Sequence, residues 1–161
     1  MIVLGCDPGK KGALVWIEET DGKVKTLLVI ELRHVVWQPR LIWAALEEAP
    51  VPDRIAFEAP QAARTAGGNM GSGTLGIGQR WEMLHTIFIL LWPEARMWTP
   101  TATNWMAAAL KDQPPGSTKD KTASLCQSEL PDLELIPGRC RVVQDGISDA
   151  GAVALWGLAR R

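Results

Sequence analysis

The segment "VLGCDPGKKGALVWI" (3–17) is an apolar run that ends on a carboxylate, Asp7, turns at Pro-Gly and resumes as a second apolar run. Glu58 closes another apolar run in "RIAFEAP", and "DGISDAGAVALWGL" sets Asp145 and Asp149 at the head of an apolar helix. Residues four apart on a helix share a face, so a helix beginning near Asp145 points both carboxylates the same way. The dipole at that end tolerates their charge. A carboxylate buried without a partner is costly, and two of them about 4 Å apart repel by about 4 kcal/mol at an effective dielectric near 20. A divalent cation relieves both costs. Singly, each acid has a plainer role: Asp7 shaping the Pro-Gly turn, Glu58 pairing with Arg54, Asp145 or Asp149 capping a helix. All four at element ends argue for a shared site. His34 and His85 lack metal-ligand spacing and read as surface or core residues.

The elements that must carry these acids follow from periodicity. Residues 2–6, 12–18 and 24–31 are apolar, β-branched runs broken by "DPGKKG" and by "ETDGK", a hairpin signal centred on Asp21-Gly22. They predict a three-strand meander. A helix is expected over 34–49 with its true start near Pro39, then a short strand in 54–60. "TAGGNMGSGTLGIG" (65–78) reads as a mobile glycine-rich loop before a helix over 79–92 and a strand around 95–98. Helices follow at 101–111, 119–130 and 147–160, with "KDQPPGSTKDK" a polar turn between the first two. The eight tryptophans fall mostly within apolar periodic segments and read as core. Antiparallel strands followed by alternating helices and strands predict an α/β domain with a mixed sheet.

Composition bounds the function without choosing it. The chain of 161 residues suits one domain spanning 1–161, and 47% hydrophobic with 22% charged residues is ordinary for a globular protein. Three cysteines without a CxxC pair fit a reducing compartment, and no apolar stretch is long enough for a signal-peptide core or a membrane span. A cytoplasmic location with no membrane partner is expected. A formal charge of −1 gives no whole-protein field for a polyanion. Neutralising four carboxylates with metal would leave the protein modestly positive, which permits nucleic-acid binding without arguing for it.

At this point the motifs carry a resemblance. "CDPGKKGAL" resembles the first-strand motif of the RNase H-like superfamily, and "FEAP" resembles its second acidic strand. "DGISDAGAVALWGL" resembles the closing helix of RuvC-type Holliday junction resolvases, phage-type members above all. The glycine-rich loop leading into "GQRWEMLHTIF", the "TPTATNW" element and "KTASLCQSELP" resemble that family's middle, in the same order along nearly the whole chain. The resemblance implies an RNase H-like fold, with a mixed five-stranded sheet whose first three strands are antiparallel, flanked by helices. It also implies a metal-dependent endonuclease that resolves four-way DNA junctions by paired symmetric phosphodiester hydrolysis, as a homodimer with one active site per subunit. A phage-encoded member would act in the cytoplasm of its bacterial host.

Carried onto this sequence, the family's metal-binding and catalytic quartet falls on Asp7, Glu58, Asp145 and Asp149. Several cellular relatives place the last two acids three apart; here they are four apart, with Gly146 at the three-residue offset. Two Mg²⁺ per site are implied, with Mn²⁺ able to substitute, and they would activate a water and stabilise the departing 3′ oxygen. Asp7 would bridge the ions. The family's inserting loop corresponds to 65–78, where Met70, Leu75 or Ile77 would supply an apolar wedge for DNA. Lys121 matches a lysine position of the family that holds the scissile phosphate, with Lys119, Arg64 and Arg80 as further DNA-binding candidates. The helix over 79–92 is apolar round much of its circumference, which fits burial by a second copy.

Rival readings predict different behaviour. An actin-like ATPase or kinase would use "DPGKKG" as a phosphate loop, but such proteins pair two domains round a nucleotide, and no nucleotide cofactor is expected here. An RNase H-like nuclease acting on other branched or hybrid nucleic acids would keep the quartet and cut linear duplex or hybrid. A binding module would not need four acids.

Overall fold

The computed structural model describes residues 1–35, 37–60, 72–138 and 140–160, with backbone alone at 72–75. Five strands, β1 (Ile2–Cys6), β2 (Ala13–Thr20), β3 (Lys23–Glu31), β4 (Arg54–Phe57) and β5 (Arg96–Trp98), form one sheet in the order β3-β2-β1-β4-β5. The first three strands are antiparallel neighbours, and β4 and β5 run parallel to β1, as the mixed-sheet expectation requires. Asp21 and Gly22 take φ of 53° and 75° at the β2–β3 hairpin, the left-handed pair that lets a two-residue turn follow the strand twist.

Helices cover both faces, which is why the central strands read as unbroken apolar runs. On one face α3 (Ala102–Ala109), α4 (Thr118–Glu129) and α5 (Asp145–Leu158) enclose a core with Val3, Val15, Ile17 and Ala56. On the other, α1 (Pro39–Glu47) and α2 (Ser72–Leu91) enclose Leu4, Leu14, Trp16 and Phe57. Proline sits at the first turn of α1, where its missing N–H costs nothing. Helix α5 is buried nearly all round and lies unusually close to β1: a Cβ on Gly5 would meet the Ala150 carbonyl at 2.1 Å. No helix among the described residues is long and apolar enough to cross a membrane.

One expectation is corrected. Residues 72–78, expected as part of the glycine-rich loop, form the first turns of α2, which therefore starts seven residues before Gln79. Glycine costs about 1 kcal/mol per helical position relative to alanine, but extending an existing helix is far cheaper than nucleating one. The well-packed stretch around Leu84 and Phe88 carries the helix back through Gly78 and Gly76. Residues 65–71 of that expected loop lie outside the described residues.

Candidate active site

The N-terminal turn explains how a strand can end on an acid. The Gly9 N–H donates to Asp7 Oδ1 at 2.8 Å, while the Asp7 N–H donates to the Ala13 carbonyl at 3.1 Å and closes the loop back onto β2. The turn role of Asp7 is real, yet it does not neutralise the charge. Burial pushes the Asp7 carboxyl above its ordinary range, and the Gly9 N–H draws it only part of the way back.

Glu58 follows β4, continuing the pairing with β1 through its N–H, which donates to the Cys6 carbonyl at 3.0 Å. Its side chain pairs with Trp105, whose indole N–H donates to Oε2 at 2.7 Å. Arg54 instead donates to the Leu158 carbonyl at 3.2 Å and lies over the Trp98 ring. Burial is the main cause that pushes Glu58 up to about 7; the Trp105 bond opposes it, and the charges of Asp7 and Asp149 add to it.

Asp149 lies one turn into α5 and is pushed up to about 6, first by burial and then by Asp7, with Asp145 adding and the Thr122 hydroxyl and Lys119 opposing. Asp145 is the first residue of α5, half-exposed and ion-paired with Lys119. A capping box sets Lys119 there: Ser117 Oγ accepts from the Asp120 N–H and Asp120 Oδ2 accepts from the Ser117 N–H, both at 3.2 Å. The four acids thus share one field, ordered Asp145, Asp149, Asp7, Glu58. Cys6, fully buried beside them, has its thiol pushed well up by burial and then by Asp7 and Glu58, and stays neutral.

Two hollows meet at Asp7. One of about 370 Å³ is lined by Asp7, Lys11, Asp145, Gly146 and Asp149. The other, about 430 Å³, is lined by Asp7, Glu58, Ile77, Thr103 and Met106. Gly146 is the close-packed element of the first. Its backbone pairs with Gly12, and a Cβ there would lie 1.9 Å from the Lys11 carbonyl oxygen. A carboxylate at position 146 has no room, so the acid that precedes Asp149 stands one residue earlier, at Asp145.

Among the described residues, no three His, Cys, Asp or Glu side chains are already gathered as a metal-ligand cluster. The acids instead line the hollows round Asp7. Their all-oxygen donor set and mutual repulsion fit a hard divalent cation that keeps several of its own waters and needs only one or two carboxylates directly.

The remaining sequence candidates are placed unevenly. Ile77 lines the Glu58 hollow, and the Arg80 guanidinium stacks 4.8 Å from the Trp37 ring centroid. Lys119 touches the acids; Lys121, two residues along α4 and half-buried, points to another side of the helix. Arg64 and Met70 lie outside the described residues, as does the Leu75 side chain. Sequence reasoning missed Trp105, Thr122, Lys11 and the packing role of Gly146. Trp105 was expected as core, and it is fully buried, but its N–H serves the acids. An indole eight residues after a strand-ending proline gives no polar signal of its own.

No protein-family model and no curated protein matches the chain. Among solved structures it is similar to T. thermophilus RuvC in complex with Holliday junction substrate, at TM-score 0.66 and 17% identity over 97% of this chain and 92% of that one. A second structure, of Thermus thermophilus RuvC, matches with TM-score 0.62 and 18% identity over the same shares. The chain has the RuvC form of the RNase H-like fold.

Proposed function

We propose that the protein is a metal-dependent, structure-selective endonuclease that resolves four-way DNA junctions by paired symmetric cuts as a homodimer. The observation that carries this reading is the shared field of Asp7, Glu58, Asp145 and Asp149 at the meeting of two hollows, in a fold similar to a protein solved with Holliday junction substrate.

The residues divide the work by place. Asp7, wall to both hollows, is the acid positioned to serve two Mg²⁺ ions, with Glu58 on one side and Asp149 and Asp145 on the other. When bound, such ions activate a water and stabilise the departing oxygen of an in-line displacement. The chain supplies what surrounds that chemistry. Trp105 and the Gly9 N–H hold Glu58 and Asp7 in place, so little reorganisation is needed at the moment of reaction. Lys119, paired with Asp145 at the rim, is the cation placed to meet a phosphate there. Ile77 and Met106 give the Glu58 hollow an apolar wall that suits a base or sugar rather than another phosphate. Lys121, Arg80 and the glycine-rich segment with Arg64, Met70 and Leu75 complete the proposed DNA-binding set.

The dimer would form through α2, where Ile89 and Leu90 are 48% and 62% exposed while Leu84 and Phe88 on the opposite face are fully buried. Cleavage of a labelled synthetic four-way junction beside a linear duplex of the same sequence, with Mg²⁺ and with EDTA, tests the whole reading. Paired, ligatable nicks in the junction alone, absent with EDTA, are expected. Equal cutting of the duplex, or of an RNA–DNA hybrid, would replace junction resolution by a more general nuclease.

A further inference from the structure

We propose that Trp105 is a positioning residue that restricts Glu58 to binding a cation through one oxygen, and thereby sets the site's preference for Mg²⁺ over Ca²⁺. The inference rests on reading the carboxylates as a metal centre and deepens that reading. The Trp105 indole N–H donates to Glu58 Oε2 at 2.7 Å, and Trp105 is 0% exposed, so water does not compete for the bond.

Backbone contacts fix both partners. The Glu58 N–H donates to the Cys6 carbonyl at 3.0 Å, the Ala59 N–H donates to the Pro100 carbonyl at 2.8 Å, and Ala59 and Thr101 form a parallel bridge. Thr101 is also the cap of α3, and the Trp105 N–H donates to its carbonyl at 3.2 Å, so one helical turn separates the bridge from the indole. Neither residue can move without disturbing the other.

An indole N–H only donates and cannot be titrated in the working range. It therefore holds Oε2 as an acceptor whether or not a cation is present, and leaves Oε1 for the hollow shared with Asp7. Ca²⁺ gathers six to eight oxygens and readily takes carboxylates in bidentate mode, whereas Mg²⁺ requires six in a near-octahedral shell and keeps several waters. Chelation by both oxygens would require Glu58 to turn its carboxylate plane away from the indole. The bond thus withholds a ligand that Ca²⁺ would use and Mg²⁺ does not need.

The test is calorimetric titration of the full chain with Mg²⁺ and, separately, Ca²⁺, for wild type, Trp105→Phe and a chain carrying benzothienylalanine at position 105. The last keeps the bicyclic shape and replaces the N–H by sulfur, so it addresses the bond even if the phenylalanine variant folds poorly. Both variants are expected to raise the Ca²⁺-to-Mg²⁺ affinity ratio by about tenfold, the scale on which partners of ligating groups act. An unchanged ratio in the folded benzothienylalanine chain, with wild-type Mg²⁺ binding intact, overturns the role of Trp105 and leaves the metal centre standing. If wild type binds neither ion, the metal reading falls and this inference falls with it.

Discussion

At the residue scale the site is a cluster of carboxylates held against their own repulsion. Glu58 and Asp149 lie at about 7 and about 6, against ordinary values of 4.5 and 3.8, so the folded protein holds protons there that the unfolded chain has already released. Their contribution to stability is complete below about pH 4 and is lost as pH rises through 6 and 7. Mg²⁺ binding needs the deprotonated acids. The expected result is a metal-free protein whose melting temperature falls between pH 5 and pH 8, with Mg²⁺ raising it at pH 8 and hardly at pH 5. Scanning calorimetry at the two pH values, with and without Mg²⁺, checks it. Asp7 is a neighbour that both raised acids feel, so Asp7→Asn should abolish cleavage and yet raise the metal-free melting temperature at pH 8, since the Asn oxygen can still accept from Gly9. A lowered melting temperature would make the turn the main role of Asp7.

The four acids were legible because each breaks the pattern of an apolar element at its end. Trp105 was not, because a tryptophan in an apolar helix satisfies the core pattern whether or not its N–H has work. Lys119 and Lys121 stand in the same polar turn, and only the capping box at Ser117 decides which of them faces Asp145.

At the element scale the site depends on how closely α5 approaches the first loop. Glycine at 146 lets the start of α5 pair with Gly12, and this brings Asp145 and Asp149 within reach of Asp7. Gly146→Ala must push the two backbones apart, because its Cβ would meet the Lys11 carbonyl oxygen at 1.9 Å. The expected cost is about 1–3 kcal/mol of stability, as for other overpacked sites, with a larger loss of cleavage, about a hundredfold for a displacement near 1 Å. Urea denaturation and single-turnover cleavage of the same preparation separate the two. The alternation of both faces of the sheet was plain in the sequence, whereas the start of α2 was not: three glycines at 73, 76 and 78 argue locally for a loop, and the helix packed behind them overrides that argument.

At the scale of the whole molecule, α2 has two faces with different occupants. Leu84, Ile87 and Phe88 belong to the core with Phe57 and Trp16, while Ile89 and Leu90 face outward. The double change Ile89→Glu and Leu90→Glu leaves the inner face intact and should convert the dimer to a monomer. Sedimentation velocity would show the change in mass, and the paired nicks in a junction should become single and uncoupled. If the doubly substituted protein sediments as wild type does, the second copy is bound elsewhere. The electrostatics at this scale are consistent with the near-neutral formal charge, since a polyanion would be drawn by local cations and bound metal rather than by the protein's overall field.

The innermost helix is also among the last segments to be made. Asp7 and Glu58 leave the ribosome early, but α5, which lies against β1, β2 and β4 and brings Asp145 and Asp149, follows only after about nine-tenths of the sequence has been translated. The cutting centre therefore exists in no nascent chain. An interrupted or proteolysed product that lacks α5 loses the middle of its core together with half of its acids, so a fragment that damages DNA indiscriminately cannot arise by stopping synthesis short.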